Sequence, residues 1–356
     1  MISLQISLSL FKKSMRNPMP QHKLPNQFQL ESGQTLKGAS LYYEVLGKIS
    51  DDKEVVWVCH AFTGSATVKE WWPSLFLENG GFIDLEKYTV ICANMLGSCY
   101  GSTGPESVNP KNGKIYGNEF PELNNRDVVS AFIDLRKALN VSTIDYLIGG
   151  SLGGQQALEW SILEPEVVQN QILVASNARH SAWGIAFNEL QRQAIELGEN
   201  GKEEERQKAL SLARSIAMLS YRSYHDFEIN QKGRNEKGDW KVVSYLNYQG
   251  KKFNGRFSLN SYKVLSKMMD AHNVAEGRGG NLEEILGSIK TKTLCIGIDS
   301  DNLFPLEEQK FMSANIPHAK LEVINSSKGH DAFLIDGNLI SQFIQKYLIN
   351  TLYEEF

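Results

Sequence analysis

The clearest chemical signal in the chain is a serine set among four glycines. Ser151 lies in Gly149-Gly150-Ser151-Leu152-Gly153-Gly154, after the apolar run Ile144–Ile148 and before the helix-like stretch Gln155–Trp160. That strand–turn–helix context is a nucleophile elbow, in which a serine at a sharp turn exposes its oxygen. The flanking glycines fit a turn too tight for side chains and tolerant of unusual backbone angles. A phosphate loop would need Gly-Lys-Ser/Thr or G-x-G-x-x-G, and neither pattern is present.

A serine hydroxyl is a weak nucleophile until an adjacent base, itself oriented by a third group, takes its proton. On an elbow scaffold the partners follow in the order Ser, Asp/Glu, His. Two later strand ends supply them: Thr293–Ile298 runs into Asp299-Ser300-Asp301-Asn302, and Leu321–Ile324 leads to Gly329-His330-Asp331. Of the seven histidines, His330 alone sits directly after a glycine behind the last strand. It is read as the base, with either Asp299 or Asp301 holding its imidazole. His60 precedes the serine and is read as a structural or oxyanion-loop residue. An oxyanion hole needs two main-chain N–H donors, one following the nucleophile and one from an early strand–loop junction. Those are Leu152 and, within Ala61-Phe62-Thr63, Phe62.

The elements that would position these groups alternate. Val55–His60, Tyr88–Asn94, Ile144–Ile148, Gln171–Ala175, Thr293–Ile298 and Leu321–Ile324 are β-rich apolar runs, typical of strands buried on both faces of a parallel sheet. A helical pattern runs from Val128 to Leu139, and a last helix from about Asn338 to Tyr353. Alternating strands and helices predict an α/β fold with a mostly parallel sheet. Residues 179–275 break the alternation with helix-like stretches such as Phe187–Leu197 and Glu203–Met218. They are read as a helical lid insertion dividing a core made of residues 28–178 and 276–356. Residues 1–27 are read as a flexible tail.

Composition bounds the rest. The chain has 356 residues, 42% hydrophobic and 22% charged, with a net charge of −4, which is an ordinary globular balance without the basic excess of a nucleic-acid binder. The four cysteines are widely spaced and form no CxxC pair or Cys/His cluster, so neither a metal site nor a disulfide framework is expected. No apolar run is long enough for a membrane span. The apolar stretch at the N-terminus precedes its lysines, the reverse of a secretory signal.

Six ordered blocks then carry a resemblance: Cys59–Ser65, Asn94–Pro105, Gly149–Trp160, Ala217–Ser223, Asp299–Pro305 and Gly329–Leu334, together with Trp71-Trp72. Over nearly the whole chain from about residue 28, the sequence resembles the homoserine O-acetyltransferases, α/β-hydrolase-fold enzymes of methionine biosynthesis. The resemblance implies that Asp301 is the triad acid beside Ser151 and His330, that Arg222 binds the substrate carboxylate, and that Asp331 binds its amino group. It implies acetyl-CoA as co-substrate with no permanently bound cofactor, L-homoserine as acceptor, a ping-pong acyl-serine route, a cytoplasmic setting and a homodimer built through the helical insertion. A succinyl-CoA-dependent acyltransferase and a serine esterase of the same fold are the alternatives. Ser98, Leu152 and Phe62 depart from the residues usual in the family at their positions, and the last two are candidates to line the acyl site.

Overall fold

The structure is a computed structural model that describes residues 20–354. Its N-terminal part holds three short strands, β1 (Gln21–Lys23), β2 (Gln27–Gln29) and β3 (Thr35–Lys37), followed by β4 (Ser40–Leu46), β5 (Glu54–Cys59) and β6 (Tyr88–Ala93). Helix α1 (Asn125–Ala138), β7 (Ile144–Gly150), α2 (Leu152–Leu163) and β8 (Val168–Val174) continue the alternation. Five helices come next: α3 (Ala182–Glu196), α4 (Glu203–Tyr221), α5 (Tyr224–Asn230), α6 (Lys241–Asn254) and α7 (Leu259–Asp270). The chain closes with α8 (Leu282–Gly287), β9 (Lys292–Ile298), α9 (Leu306–Asn315), β10 (Lys320–Ile324) and α10 (Gly337–Glu354).

The main sheet has eight strands in the order β1-β4-β6-β5-β7-β8-β9-β10. The pairs β1–β4 and β4–β6 are antiparallel, and every pair from β6 to β10 is parallel. The parallel strands are apolar on both sides because both faces are covered. In β5, Trp57 and Cys59 belong to one core while Val56 and Val58 belong to the other. Trp57 meets Trp160 of α2 edge-on at 4.9 Å, and Phe132 of α1 lies 6.2 Å from Trp57. On the opposite face Trp72, Phe76 and Phe333 pack with Ile340 and Ile344 of α10. Helix α1 starts at a reciprocal cap in which the Asn124 side chain accepts from the Asp127 N–H and Asp127 accepts from the Asn124 N–H.

The expectation of a flexible tail over residues 1–27 needs correction at its C-terminal end. Gln21–Lys23 pairs with Ser40–Tyr42, and Leu24 and Phe28 are buried in the core, so backbone pairing and apolar burial order this stretch. Residues 1–19 lie outside the described residues.

Between Val174 and Lys292 the chain leaves the sheet in a long, mostly helical excursion. Its ends are fastened to each other: Arg179 and Asn273 form a bridge, the His180 N–H donates to the His272 carbonyl, and the Val274 N–H donates to the Ala178 carbonyl. Among the described residues no helix is long and apolar enough to cross a membrane.

Candidate active site

Ser151 sits between β7 and α2 at φ 57° and ψ −127°, a left-handed conformation that a non-glycine residue adopts only when its surroundings impose it. Its N–H donates to the Val174 carbonyl, and its carbonyl accepts from the Ser176 hydroxyl, both at 2.9 Å. The elbow glycines are dictated by space and not by backbone angle. A Cβ on Gly149 would stand 2.0 Å from the Gly153 carbonyl oxygen, and one on Gly153 would stand 2.1 Å from the Cys59 carbonyl oxygen. Strand β5, strand β7 and helix α2 therefore touch backbone to backbone beneath the serine.

Asp301 and His330 follow β9 and β10, so all three groups lie beyond the carboxyl ends of neighbouring parallel strands, where open α/β sheets bind ligands. His330 Nδ1 is 2.7 Å from Asp301 Oδ2, while Asp301 Oδ1 accepts from the main-chain N–H groups of Leu303 and Phe304. Asp299 is used elsewhere, its Oδ1 accepting from the Ser326 N–H at 2.9 Å. Geometry thus separates the two aspartates that spacing left open. The His330 ring stacks on Phe304 at 5.0 Å and lies 5.3 Å from Phe333 and 5.9 Å from Tyr221. Phe333 also borders the elbow, since a Cβ on Gly150 would stand 2.9 Å from its ring. Gly329 carries a positive φ of 68°, and a Cβ there would meet the Ser223 nitrogen at 2.7 Å. The glycine before the histidine therefore lets the end of β10 press against the end of α4.

On the other side of the serine, Leu152 is buried at the first position of α2, where an N–H has no carbonyl within the helix. Phe62 lies in a turn closed by the Gly64 N–H donating to the Ala61 carbonyl. Arg256 fastens this turn to the helical excursion, donating to the Thr63 carbonyl at 2.7 Å and to the Tyr100 hydroxyl at 2.8 Å. His60 is structural. Its Nε2 accepts from the Met95 N–H, its Nδ1 faces the Ala61 carbonyl, and burial lowers its pKa to about 4, so it stays neutral.

Arg222 and Asp331 come together. Arg222 Nε lies 2.9 Å from Asp331 Oδ2, and Arg222 Nη1 donates to Asp226 Oδ2 at 3.2 Å. Lys328 adds a fourth charge, 3.0 Å from Asp226 Oδ1. Burial raises the Asp331 pKa against the lowering pull of Arg222 and Arg214. Glu308, at the start of α9, accepts from Asn177 at 3.0 Å; burial, aided by the charge of Asp301, raises its pKa to about 7. Among the described residues no group of three or more His, Cys, Asp or Glu side chains could hold a metal ion.

Arg214, Tyr221, Arg256 and Glu308 also border the site, and no motif in the sequence assigns them a role there. Arg214 and Tyr221 share one face of α4 at a seven-residue spacing, so helical periodicity could have grouped them with Arg222. Nothing local marked Arg256 or Glu308, whose partners are far away in sequence.

The strand order, the elbow and the Asp–His pair behind it define a class. A family described as alpha/beta hydrolase fold matches residues 54–336, and this chain is a member of it. Within that class, a homoserine O-acetyltransferase of Cyclobacterium marinum is 46% identical over 325 residues, covering 90% of this chain and 92% of the relative. The corresponding protein of Trichormus variabilis is 42% identical over 333 residues. The crystal structure of homoserine O-acetyltransferase from Staphylococcus aureus superimposes with a TM-score of 0.78 at 30% identity, covering 93% of this chain and 94% of that one. The chain belongs to the homoserine O-acetyltransferase family.

Proposed function

We propose that this protein moves the acetyl group of acetyl-CoA to the hydroxyl of L-homoserine through an acyl-Ser151 intermediate, as a step in methionine biosynthesis. The observation that carries the reading is the 2.7 Å His330–Asp301 contact behind the strained Ser151 elbow, in a chain of this family. Asp301 holds the proton on Nδ1, which leaves Nε2 as the basic nitrogen of His330.

In the first half-reaction His330 takes the Ser151 proton, the serine oxygen bonds to the thioester carbon, and the oxyanion lies against the Phe62 and Leu152 N–H groups. The C–S bond then breaks and the thiolate leaves with the proton from His330. In the second half-reaction His330 takes the proton of the homoserine hydroxyl, which attacks the acyl ester. Collapse releases O-acetylhomoserine and returns the proton to Ser151. Asp331 suits the acceptor's ammonium and Arg222 its carboxylate, as charge-assisted contacts. Acetyl-CoA acts as co-substrate, with no permanently held cofactor.

Transfer to an alcohol in place of hydrolysis requires that water be outcompeted, and the helical excursion serves as the lid that does so. The protein works in the cytoplasm as a homodimer joined through that lid. Thiol release from acetyl-CoA, measured with and without L-homoserine, tests the reading. Homoserine-dependent release that disappears in Ser151→Ala is the expected result; release that ignores homoserine overturns it. Succinyl-CoA in parallel identifies the acyl group, with acetyl-CoA the preferred donor.

A further inference from the structure

Arg214 is a guanidinium beside the site with a buried donor that no acceptor among the described residues takes up. It lies on α4, with its carbon 5.1 Å from the Tyr221 ring centre and 5.0 Å from that of Phe253. Tyr221 in turn is 5.9 Å from the His330 ring. The Nη1 of Arg214 is buried and has no hydrogen-bond partner among the described residues. A buried donor on a cation, left without an acceptor, is costly unless a ligand supplies one. Arg222, by contrast, already contacts two carboxylates, Asp331 and Asp226.

Charge points the same way. Along the Asp331–Arg222–Asp226 chain, Arg214 acts on Asp331 and Lys328 pairs with Asp226, which sets three cations against two carboxylates. One further small anion completes the set. Aromatic rings border the guanidinium: Tyr221 and Phe253 flank it, and Phe253 leads through Tyr262 to Phe62 at the oxyanion turn. A singly charged, planar carboxylate matches the one free guanidinium donor, whereas the phosphates of coenzyme A carry more charge and a larger hydration shell.

We infer that Arg214 is an acceptor-binding residue, its free Nη1 joining Arg222 on the carboxylate of the amino-acid alcohol while Asp331 meets the ammonium. This rests on the acetyl-transfer reading above and adds a second guanidinium to the acceptor subsite.

The test uses the full chain with Arg214→Gln and Arg214→Lys. Four quantities are read: the thiol burst from acetyl-CoA without acceptor, the KM for acetyl-CoA, the KM for L-homoserine, and the inhibition constant of 3-aminopropan-1-ol, which lacks the carboxylate, as a competitor of homoserine. The expected result is a persisting burst, a homoserine KM raised about tenfold or more in Arg214→Gln, as for loss of a charged hydrogen bond, and an inhibition constant for 3-aminopropan-1-ol that does not move. Arg214→Lys recovers part of the loss. An unchanged homoserine KM overturns the inference. So does equal weakening of both ligands, a rise confined to the acetyl-CoA KM, or loss of the burst in both variants. Failure of the underlying reading shows separately, as wild-type protein that gives no homoserine-dependent release.

Discussion

Asp299 and Asp301 show how far single residues can be read before folding is known. Both follow the same strand, and only the turn geometry sends one carboxylate to the Ser326 N–H and the other to His330. Ser151 and His330 were legible because their glycine settings are local: one lies on the elbow, the other behind a glycine whose side-chain space is taken by the end of α4. Glu308 was not legible, since Asn177, which donates to it, lies 131 positions away. Its pKa of about 7 lies above the 4.5 of an unfolded glutamate, so the folded state binds the proton more tightly. The stability contributed by the protonated carboxyl is full below about pH 4.5 and is lost as pH rises through about 7. Glu308→Gln keeps an acceptor for Asn177 and removes the titration. The difference in melting temperature, variant minus wild type, is therefore expected to grow from pH 4.5 to pH 8. A difference that stays flat over that range counts against a raised pKa.

At the scale of elements, the strands buried on both faces were readable because continuous β-branched and apolar runs have few other uses. The short strands β1 and β2 were not, because Gln21–Lys23 and Gln27–Gln29 are mostly polar and owe their order to pairing with β4 and β3. Of the two reasons the sequence offers for the elbow glycines, side-chain space and backbone freedom, the first applies: close backbone approach excludes a side chain at Gly149 and Gly153, and neither has a positive φ. That distinction has a measurable edge. Gly153→Ala keeps an allowed backbone but places a methyl 2.1 Å from the Cys59 oxygen, which rigid strand and helix backbones cannot yield. Overpacking of this kind costs about 1–3 kcal/mol. Urea denaturation of Gly153→Ala is expected to show that loss along with a diminished thiol burst. A variant of unchanged midpoint and burst would mean that α2 can slide away from β5.

For the whole molecule, the informative surface is the excursion. Leu212 and Leu219 lie seven residues apart on one face of α4, 46% and 52% exposed, and Tyr224, Ile229, Val243 and Tyr248 are exposed on the neighbouring helices α5 and α6. Exposed apolar side chains grouped on neighbouring helices are what the homodimer proposed above would cover with a second copy of the chain. Sedimentation is expected to give a dimer for the wild type and a monomer for Leu212→Glu/Leu219→Glu. A double variant that still sediments as a dimer places the interface elsewhere. The way the excursion is spliced into the sheet has a consequence for the order of folding. Gln171 and Thr293 hydrogen-bond across adjacent strands although they are 122 positions apart, so β9 and β10 can join the sheet only after the intervening helices have been made and drawn together at their ends. Pairings of that span form late. The nucleophile is laid down in the early half of the sheet, and its acid and base arrive with the late half. A partly synthesised or partly folded molecule therefore carries a serine that nothing deprotonates, and thioester chemistry switches on only when the last strands dock.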